Sequence, residues 1–463
     1  MKRIILEIFR QPWSTYLGIL IGKQKEDSRR AALIHGAGGT LALKIGAVIL
    51  GFAVSISLTR ILGSHGYGIF TYTMTWISIL ALISTVGLHG IIIRYTAIYR
   101  KNEKVNLLRG LIRLSTTLIL SISLMITLSS YLILLFQRSS ISLDLYQGFL
   151  ILLLMIPIVA MARIQQSFLL GFQHTILAQL PDLLLKSLFF LALLWPAYLI
   201  LDDKFRPYTA LLIQLIATSL ALFMSSMWLL RKLHYYIGEE TKESYEYQTK
   251  TWLFGALSLF FIECMQVINN KADIIMLGLL DSTQSVGIYA AAVQTSGLIS
   301  IILVSANAAL SPVIARLYSS GSFETLQSII TKSARIMLVI SLPIAMFLIF
   351  LGHWALAIFG NEFVEGATAL SILSGAQLIN VAMGSVGIIL IMTGHEKIAA
   401  YTLAGAAVIN ILLNAVFIPK WGMNGAALAS AASLIMWNIV LMFFVKRNLN
   451  IDSTALGLLS KKS

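Results

Sequence analysis

The sequence has a single cysteine, Cys264, which excludes a disulfide framework and any thiolate metal site. Its seven histidines show neither HxxxH nor HExxH spacing, so metal chemistry is not expected. Charge is scarce: only 12% of residues are Asp, Glu, Lys or Arg, about half the roughly 25% usual in soluble domains. Acid is scarcer than base, 20 residues against 34, which gives a formal net charge of +14. Spread over a soluble surface, that charge would suggest nucleic acid. Here the cations sit in short loops beside apolar runs, so lipid headgroup contact explains them and no nucleic-acid partner is expected. No Walker motif is present. The run His35-Gly36-Ala37-Gly38-Gly39 follows no strand pattern and precedes an apolar span, so it reads as a flexible joint.

Apolar sequence fills the rest. Hydrophobic residues make up 58% of the chain, and the mean hydropathy is +0.85. Runs of about 20 apolar residues, the length that crosses a bilayer, fall near residues 39–61, 70–93, 114–136, 147–170, 179–201, 208–230, 252–279, 287–312, 335–359, 365–392, 397–418 and 424–445. Lys and Arg concentrate on every second loop: Arg94, Arg100, Lys101, Lys104, Arg109 and Arg113 on one, Arg231, Lys232, Lys242 and Lys250 on another. The alternate loops keep only Arg60, Arg138, Lys204, Arg206 and Lys420. The positive-inside rule then predicts a multi-pass protein of the cell (cytoplasmic) membrane with both termini inside. Residues 1–36 read as a cytoplasmic extension, since Glu7, Arg10 and Pro12 break any signal-peptide core.

Short phrases recur half a chain apart. Leu62-Gly63 followed by Tyr67-Gly68-Ile69-Phe70 returns as Leu277-Gly278 followed by Val286-Gly287-Ile288-Tyr289. Gly171-Phe172-Gln173-His174 before the fifth span answers Gly394-His395-Glu396-Lys397 before the eleventh. Both keep the same offset and odd-span parity, which predicts an N-lobe (37–232) and a C-lobe (252–446) of six spans each in the same orientation. A polar cytoplasmic linker (233–251) would join them, and a cytoplasmic tail (447–463) would follow.

The string Lys271-Ala272-Asp273-Ile274-Ile275-Met276-Leu277-Gly278, closed by Val286-Gly287-Ile288-Tyr289, resembles the seventh-helix signature of polysaccharide and O-antigen flippases in the multidrug/oligosaccharidyl-lipid/polysaccharide exporter superfamily. Further matches are Thr59-Arg60-Ile61-Leu62-Gly63, Phe359-Gly360-Asn361-Glu362-Phe363, Thr393-Gly394-His395 and Pro419-Lys420-Trp421-Gly422-Met423-Asn424-Gly425-Ala426-Ala427. The resemblance covers nearly everything after residue 36. It implies an all-α polytopic membrane protein, about 12 transmembrane helices in two six-helix lobes around a central cavity. It also implies a transporter, not an enzyme. The expected substrate is a polyprenyl-pyrophosphate-linked oligosaccharide, flipped to the outer leaflet for O-antigen, capsule or exopolysaccharide assembly. Partners would be membrane lipids and a polysaccharide polymerase or chain-length machinery. No cofactor is implied.

Charged residues inside spans point to function, because each costs roughly 2.5–3.5 kcal/mol at a helix centre unless it faces water or a partner. Lys44, Asp182, Lys186, Glu263, Lys271 and Asp273 lie in such positions. Glu263, Gln266, Asn270 and Asp273 recur at i, i+3, i+7 and i+10, a stripe expected to face the space between lobes. Asp182 and Lys186 are four apart and suited to neutralise one another. Arg94 and Arg163 near inner helix ends read as topology anchors. An excess of cation over acid in the cavity would fit an anionic substrate. Lys44, Arg60, Lys186 and Lys271 are then the candidate pyrophosphate contacts, and Gln266, Asn270, Asn380 and Asn410 the candidate sugar contacts. Glu263 and Asp273 are candidates for coupling to H+ or Na+.

Three rival readings make different demands on the sequence. A lipid II flippase differs in substrate and not in mechanism. A cation-coupled drug exporter of the same superfamily wants an acid on the first span, where this chain has Lys44. A membrane glycan polymerase needs a large outer loop, and the outer loops here are about a dozen residues.

Overall fold

A computed structural model of the chain describes residues 26–139, 141–237 and 245–457. Every regular element among them is helical, as the apolar runs require: backbone N–H and C=O groups in hydrocarbon must be paired within the segment itself. Ten stretches are long and apolar enough to cross a bilayer. Two of these are double, since Gly63 (φ 67°, ψ −176°) and Gly422 (φ 52°, ψ −131°) interrupt them, so the ten supply twelve crossings among the described residues. The left-handed φ at Gly63 is open to glycine at no steric cost, which allows two apolar helices to meet with no loop between them.

In chain order the helices are α1 (26–62), α2 (64–85), α3 (Leu88–Lys101), α4 (Val105–Phe136), α5 (Leu143–Gly171), α6 (Thr175–Leu201), α7 (Pro207–Ile237), α8 (Thr249–Leu280), α9 (Thr283–Ser319), α10 (Phe323–Phe350), α11 (Gly352–Ala357), α12 (Ala367–Met383), α13 (Val386–Met392), α14 (396–421) and α15 (423–449). The second crossing departs from its expected span, 70–93. It begins at residue 64, breaks at Val86 and Gly87, both with positive φ, and resumes as α3. The ninth crossing lies at Phe323–Phe350 and not at 335–359, because the short apolar helix α11 extends the hydropathy signal past its end. The tenth is interrupted at Gly384, between α12 and α13.

The helices run back and forth, so the Lys/Arg-rich ends of α3, α7, α9 and α15 share one side, here the basic face. The breaks at Gly63 and Gly422 lie on the opposite face. Packing differs between the two. Toward the opposite face one continuous apolar core joins both halves of the chain, from Leu58, Tyr67 and Phe70 through Met155 and Leu211 to Tyr289, Phe363 and Leu370. Toward the basic face it divides in two. One core holds Leu88, Ile92, Leu111, Phe168 and Trp252, and the other holds Ile314, Leu326, Ile389, Leu441 and Ile451. The lobes are thus one body at one end and two at the other. Helix α8 changes sides: Trp252 and Ala256 pack in the first lobe's core, whereas Ile274 and Leu277 pack in the joint core.

Each lobe's last crossing is followed by an extended strap against its own third crossing. After α7, the Glu246 N–H donates to the Asn106 carbonyl at 3.2 Å, and the Arg113 guanidinium lies 4.8 Å from the centre of the Tyr245 ring. After α15, residues 451–457 run between α10 and the α12–α13 break. Arg335 donates to the carbonyls of Ala455 (3.0 Å) and Gly457 (2.9 Å), and Gln327 exchanges two bonds with the Asp452 backbone.

Candidate functional site

The two lobes meet at the opposite face through backbone. The first turns of α2 and α9 touch so closely that a Cβ on Gly68 would lie 1.7 Å from the Thr283 carbonyl oxygen, and one on Gly287 would lie 2.1 Å from that of Ser64. These are the glycines of the repeated phrase, one from each lobe. Polar bonds close the same seam. Ser64 donates from its N–H (2.9 Å) and its hydroxyl (2.5 Å) to the Glu362 carboxylate, Arg60 donates to the carbonyls of Ala357 (3.0 Å) and Ile358 (2.9 Å), and Thr283 pairs with His65 at 2.9 Å.

Below this seam a cavity of about 570 Å³ opens within the first lobe, walled by α2, α3, α5, α6 and α7, with Glu263, Gln266 and Val267 of α8 closing its side. Its volume falls within the range typical of small-molecule sites. The lining carries Arg163, Asp182, Lys186 and Glu263, with His89, Gln166, Gln214, Thr218 and Ser225. Two cations therefore face two acids. Lys186 and Asp182 form an ion pair one turn apart on α6. Arg163 makes no side-chain hydrogen bond or ion pair with another described residue, although its backbone carbonyl accepts from Ser167, whose hydroxyl also meets His89 Nδ1 at 2.7 Å. The wall of α6 is shaped by a π-turn over Pro181–Leu185. Pro181 has no N–H to give the preceding turn, which favours the wider turn that carries Asp182.

In the second lobe a buried polar cluster on α8, α9, α14 and α15 is held together by hydrogen bonds among its own members. Asp273 on α8 is 6% exposed. Its carboxylate accepts from the Tyr289 hydroxyl at 2.6 Å, the Ser430 hydroxyl at 3.3 Å and the Ile274 N–H at 2.8 Å. Asn410 donates to the Ser433 hydroxyl at 3.0 Å, and Asn414 donates to Asn410 Oδ1 at 3.0 Å. The Oδ1 of Asn414 is buried without a partner.

Against these positions the expected site residues separate. Lys186, Glu263 and Gln266 line the cavity. Arg60 does not: its guanidinium is held by the carbonyls of Ala357 and Ile358 at the seam. Asn410 is sealed in the second lobe at 1% exposure, and Asn380 bonds Gln377 at 3.2 Å. Lys44 and Lys271 lie outside the cavity lining, and Lys271 pairs with neither Glu263 nor Asp273. Asn270 donates to the Gln266 carbonyl at 2.8 Å. The expected stripe on α8 fails for a geometric reason. Ten residues at 100° each leave Asp273 about 80° around the helix from Glu263, which turns it into the second lobe. The expected excess of cation is likewise replaced by balance. Arg163, read as a topology anchor, is the cation that the sequence analysis did not place in the site; the signal available was its place within the helix, about one turn from Gln166 and well short of the α5 end at Gly171.

Residues 33–318 match the family described as polysaccharide biosynthesis protein, and residues 258–416 match the MatE family. The chain is 25% identical over 163 residues to a probable low-salt glycan biosynthesis flippase, Agl15, of Haloferax volcanii; the match spans 35% of this chain and about a third (34%) of that relative's length. In fold it is similar to the inward-facing conformation of a multidrug resistance MATE family transporter of the MOP superfamily, with a TM-score of 0.69 at 15% identity, covering 94% of this chain and 97% of that one. It is equally similar to the lipid II flippase MurJ in an inward closed conformation, with a TM-score of 0.69 at 16% identity, covering 89% and 87% of the two chains. The all-α polytopic architecture expected from the sequence therefore holds.

Proposed function

Because the chain belongs to the polysaccharide biosynthesis protein family, we propose that it moves a lipid-linked oligosaccharide across the cell membrane, its glycan passing through the first-lobe cavity while the lipid tail stays in the bilayer. The observation that carries this reading is Arg163, a half-buried guanidinium in the cavity wall that feels Glu263 and Asp182 across the cavity but is bonded directly to neither. A buried cation is costly unless an anion completes it. The diphosphate of a polyprenyl-pyrophosphate carrier supplies that anion, and a guanidinium fork fits phosphate oxygens two at a time. Lys186 adds a second cation when the diphosphate draws it from Asp182. Gln166, Gln214, Gln266 and Thr218 offer the paired donors and acceptors that sugar hydroxyls need.

The joint core at the opposite face and the divided cores at the basic face support reading it as a carrier open on the basic side. With the basic face inside, the substrate enters from the cytoplasm, and rocking of the lobes about the glycine seam would release it outside. The empty cavity has balanced charge, so its return crosses the membrane field nearly free of work. The loaded cavity carries about two extra negative charges, worth roughly 4–5 kcal/mol per 100 mV on export from a negative interior. If a cation is coupled, H+ or Na+, the second lobe's Asp273, with its ring of hydroxyl and amide oxygens, is the better candidate than Glu263, which faces the substrate.

The test is to delete the gene, complement it with wild type or with Arg163→Gln, and quantify lipid-linked oligosaccharides by mass spectrometry. Surface glycan and drug sensitivity are scored in the same strains. Deletion should accumulate completed lipid-linked units and lose surface glycan, and Arg163→Gln should restore export at least about a hundredfold less well than wild type while reaching the membrane. Accumulated lipid II would shift the substrate to the peptidoglycan precursor. Unchanged lipid intermediates with drug hypersensitivity would overturn the glycan reading.

A further inference from the structure

Four positions on α6 and its lead-in, His174, Ala178, Asp182 and Lys186, follow one another at intervals of four residues. The last three line the cavity. At 1.5 Å per residue, His174 stands about 12 Å along the helix from Asp182, at the rim on the basic face. Two cations from other helices surround it. Arg100, near the end of α3, donates to the Phe172 carbonyl at 2.6 Å, and its guanidinium lies 4.4 Å from the centre of the Tyr236 ring. Tyr236 stacks on Phe172 at 4.9 Å with planes 11° apart, and its hydroxyl meets His174 Nε2 at 3.4 Å. Lys232, one turn before Tyr236 on α7, completes the group.

No described carboxylate is bonded to Arg100, Lys232 or His174. The repulsion is visible in the imidazole: burial, then Lys232, then Arg100, push the His174 pKa down to about 4. Arg100 is thus held on an aromatic stack with Lys232 one helical turn away and no described carboxylate bonded to either, beside a neutral imidazole that still offers one N–H. Basic pockets between helices on this face of a membrane protein hold phosphate-bearing headgroups.

We propose that Arg100, His174 and Lys232 form a phosphate-binding rim site, where a phosphate-bearing headgroup docks before it enters the cavity. The assignment rests on the glycan-export reading for its role, although the binding chemistry stands independently. Phosphate could come from the substrate's diphosphate or from an anionic phospholipid, and two arms separate these sources. In one arm, inorganic pyrophosphate is titrated into the full-length protein in detergent by calorimetry. In the other, the protein is reconstituted in nanodiscs of phosphatidylcholine with phosphatidylglycerol, and retained phosphatidylglycerol is counted by native mass spectrometry.

Lys232→Gln and His174→Gln are the variants, since Arg100 also ties α3 to the α5 end. Lys232→Arg is the rescue. Pyrophosphate binding at the rim should weaken about tenfold or more in Lys232→Gln and recover in Lys232→Arg. It should persist in Arg163→Gln, which removes a cation from the cavity and leaves the rim intact. Loss in the pyrophosphate arm alone marks a substrate-type diphosphate; loss in the lipid arm alone marks a phospholipid. Wild-type binding by Lys232→Gln and His174→Gln in both arms overturns the rim site. A failure of the export reading would look different: Arg163→Gln would export normally while rim binding still depended on Lys232.

Discussion

The two lobes share six crossings, a repeated phrase and a strap on the third crossing, yet one encloses an open charged cavity and the other a closed hydrogen-bonded core. Around the first-lobe cavity, Arg163 and Gln166 of α5 and Glu263 and Gln266 of α8 face open space. In the second, the buried Asp273, Tyr289 and Asn410 and the half-buried Ser430 bond one another. A duplicated scaffold has therefore divided its labour. Polar groups around the cavity are left for a ligand, and those around Asp273 are engaged by the protein itself. In a low-dielectric interior both arrangements are costly unless completed, so a change of the same kind should have opposite consequences in the two halves.

The largest effect should come where the lobes meet. Gly68→Val places carbon within 2 Å of the Thr283 carbonyl, and backbone on both sides leaves nothing to yield. The seam should open at a cost of at least about 3 kcal/mol. Glycan export should stop, and amide hydrogen exchange over residues 64–70 and 283–290 should rise together. Normal export with unchanged exchange would mean that the seam is not a lock.

Next comes a direct contrast of lobes. Tyr289→Phe removes the 2.6 Å donor to Asp273 and leaves a buried carboxylate oxygen with only the longer Ser430 bond. The expected loss is about 1–3 kcal/mol of stability with export retained in the surviving protein. Gln166→Leu, on the cavity wall, should do the reverse: stability within about 0.5 kcal/mol of wild type, and export reduced severalfold. Melting of purified protein and export in the complemented deletion strain measure both quantities. If both variants lost stability alone, the division of labour would be wrong.

How much of this was legible in the sequence follows the same physics. The crossings could be read because hydrocarbon imposes one length and one composition on them. The glycine phrases marked the seam because close backbone approach admits only hydrogen at Cα. The site was read less well. Lys44, Arg60 and Lys271 were grouped with Lys186 by charge alone, but a single chain does not reveal which carbonyls will hold a guanidinium, as Ala357 and Ile358 hold Arg60. The same blindness hid Arg163, whose place in the cavity wall opposite Glu263 is a tertiary fact. Asp273 was placed on the wrong face because spacings of 3, 4 and 3 look like one stripe over short windows and drift over ten residues.

The straps offer a smaller test of the comparison. Arg335→Ala removes both donors to the Ala455 and Gly457 carbonyls. That should cost about 1–2 kcal/mol and speed proteolysis after residue 450. Export should persist, since neither Arg335 nor the strap lines the cavity. A variant that lost export while keeping the C-terminal strap protected would instead tie α10 to transport.

The smallest effect is a pH dependence that belongs to the first lobe alone. His174, faced by Lys232, Arg100 and the Tyr236 hydroxyl, has its pKa pushed from 6.5 to about 4, burial being the main cause. Between these values the unfolded chain binds a proton at His174 that the folded protein refuses, so folding stability rises with pH across that window. The contribution is complete above about 6.5 and is lost as pH falls toward 4. Allowing for the imidazole's partial exposure, it amounts to about 1–2 kcal/mol. His174→Gln should flatten the fall in melting temperature between pH 6.5 and 4 without altering it above pH 7. Saturating pyrophosphate should act in the same direction in wild type, because an anion between Lys232 and Arg100 removes the repulsion that keeps the imidazole neutral. An acid limb that survives His174→Gln unchanged would place the sensitive group elsewhere and remove the rim's like-charge repulsion as its cause.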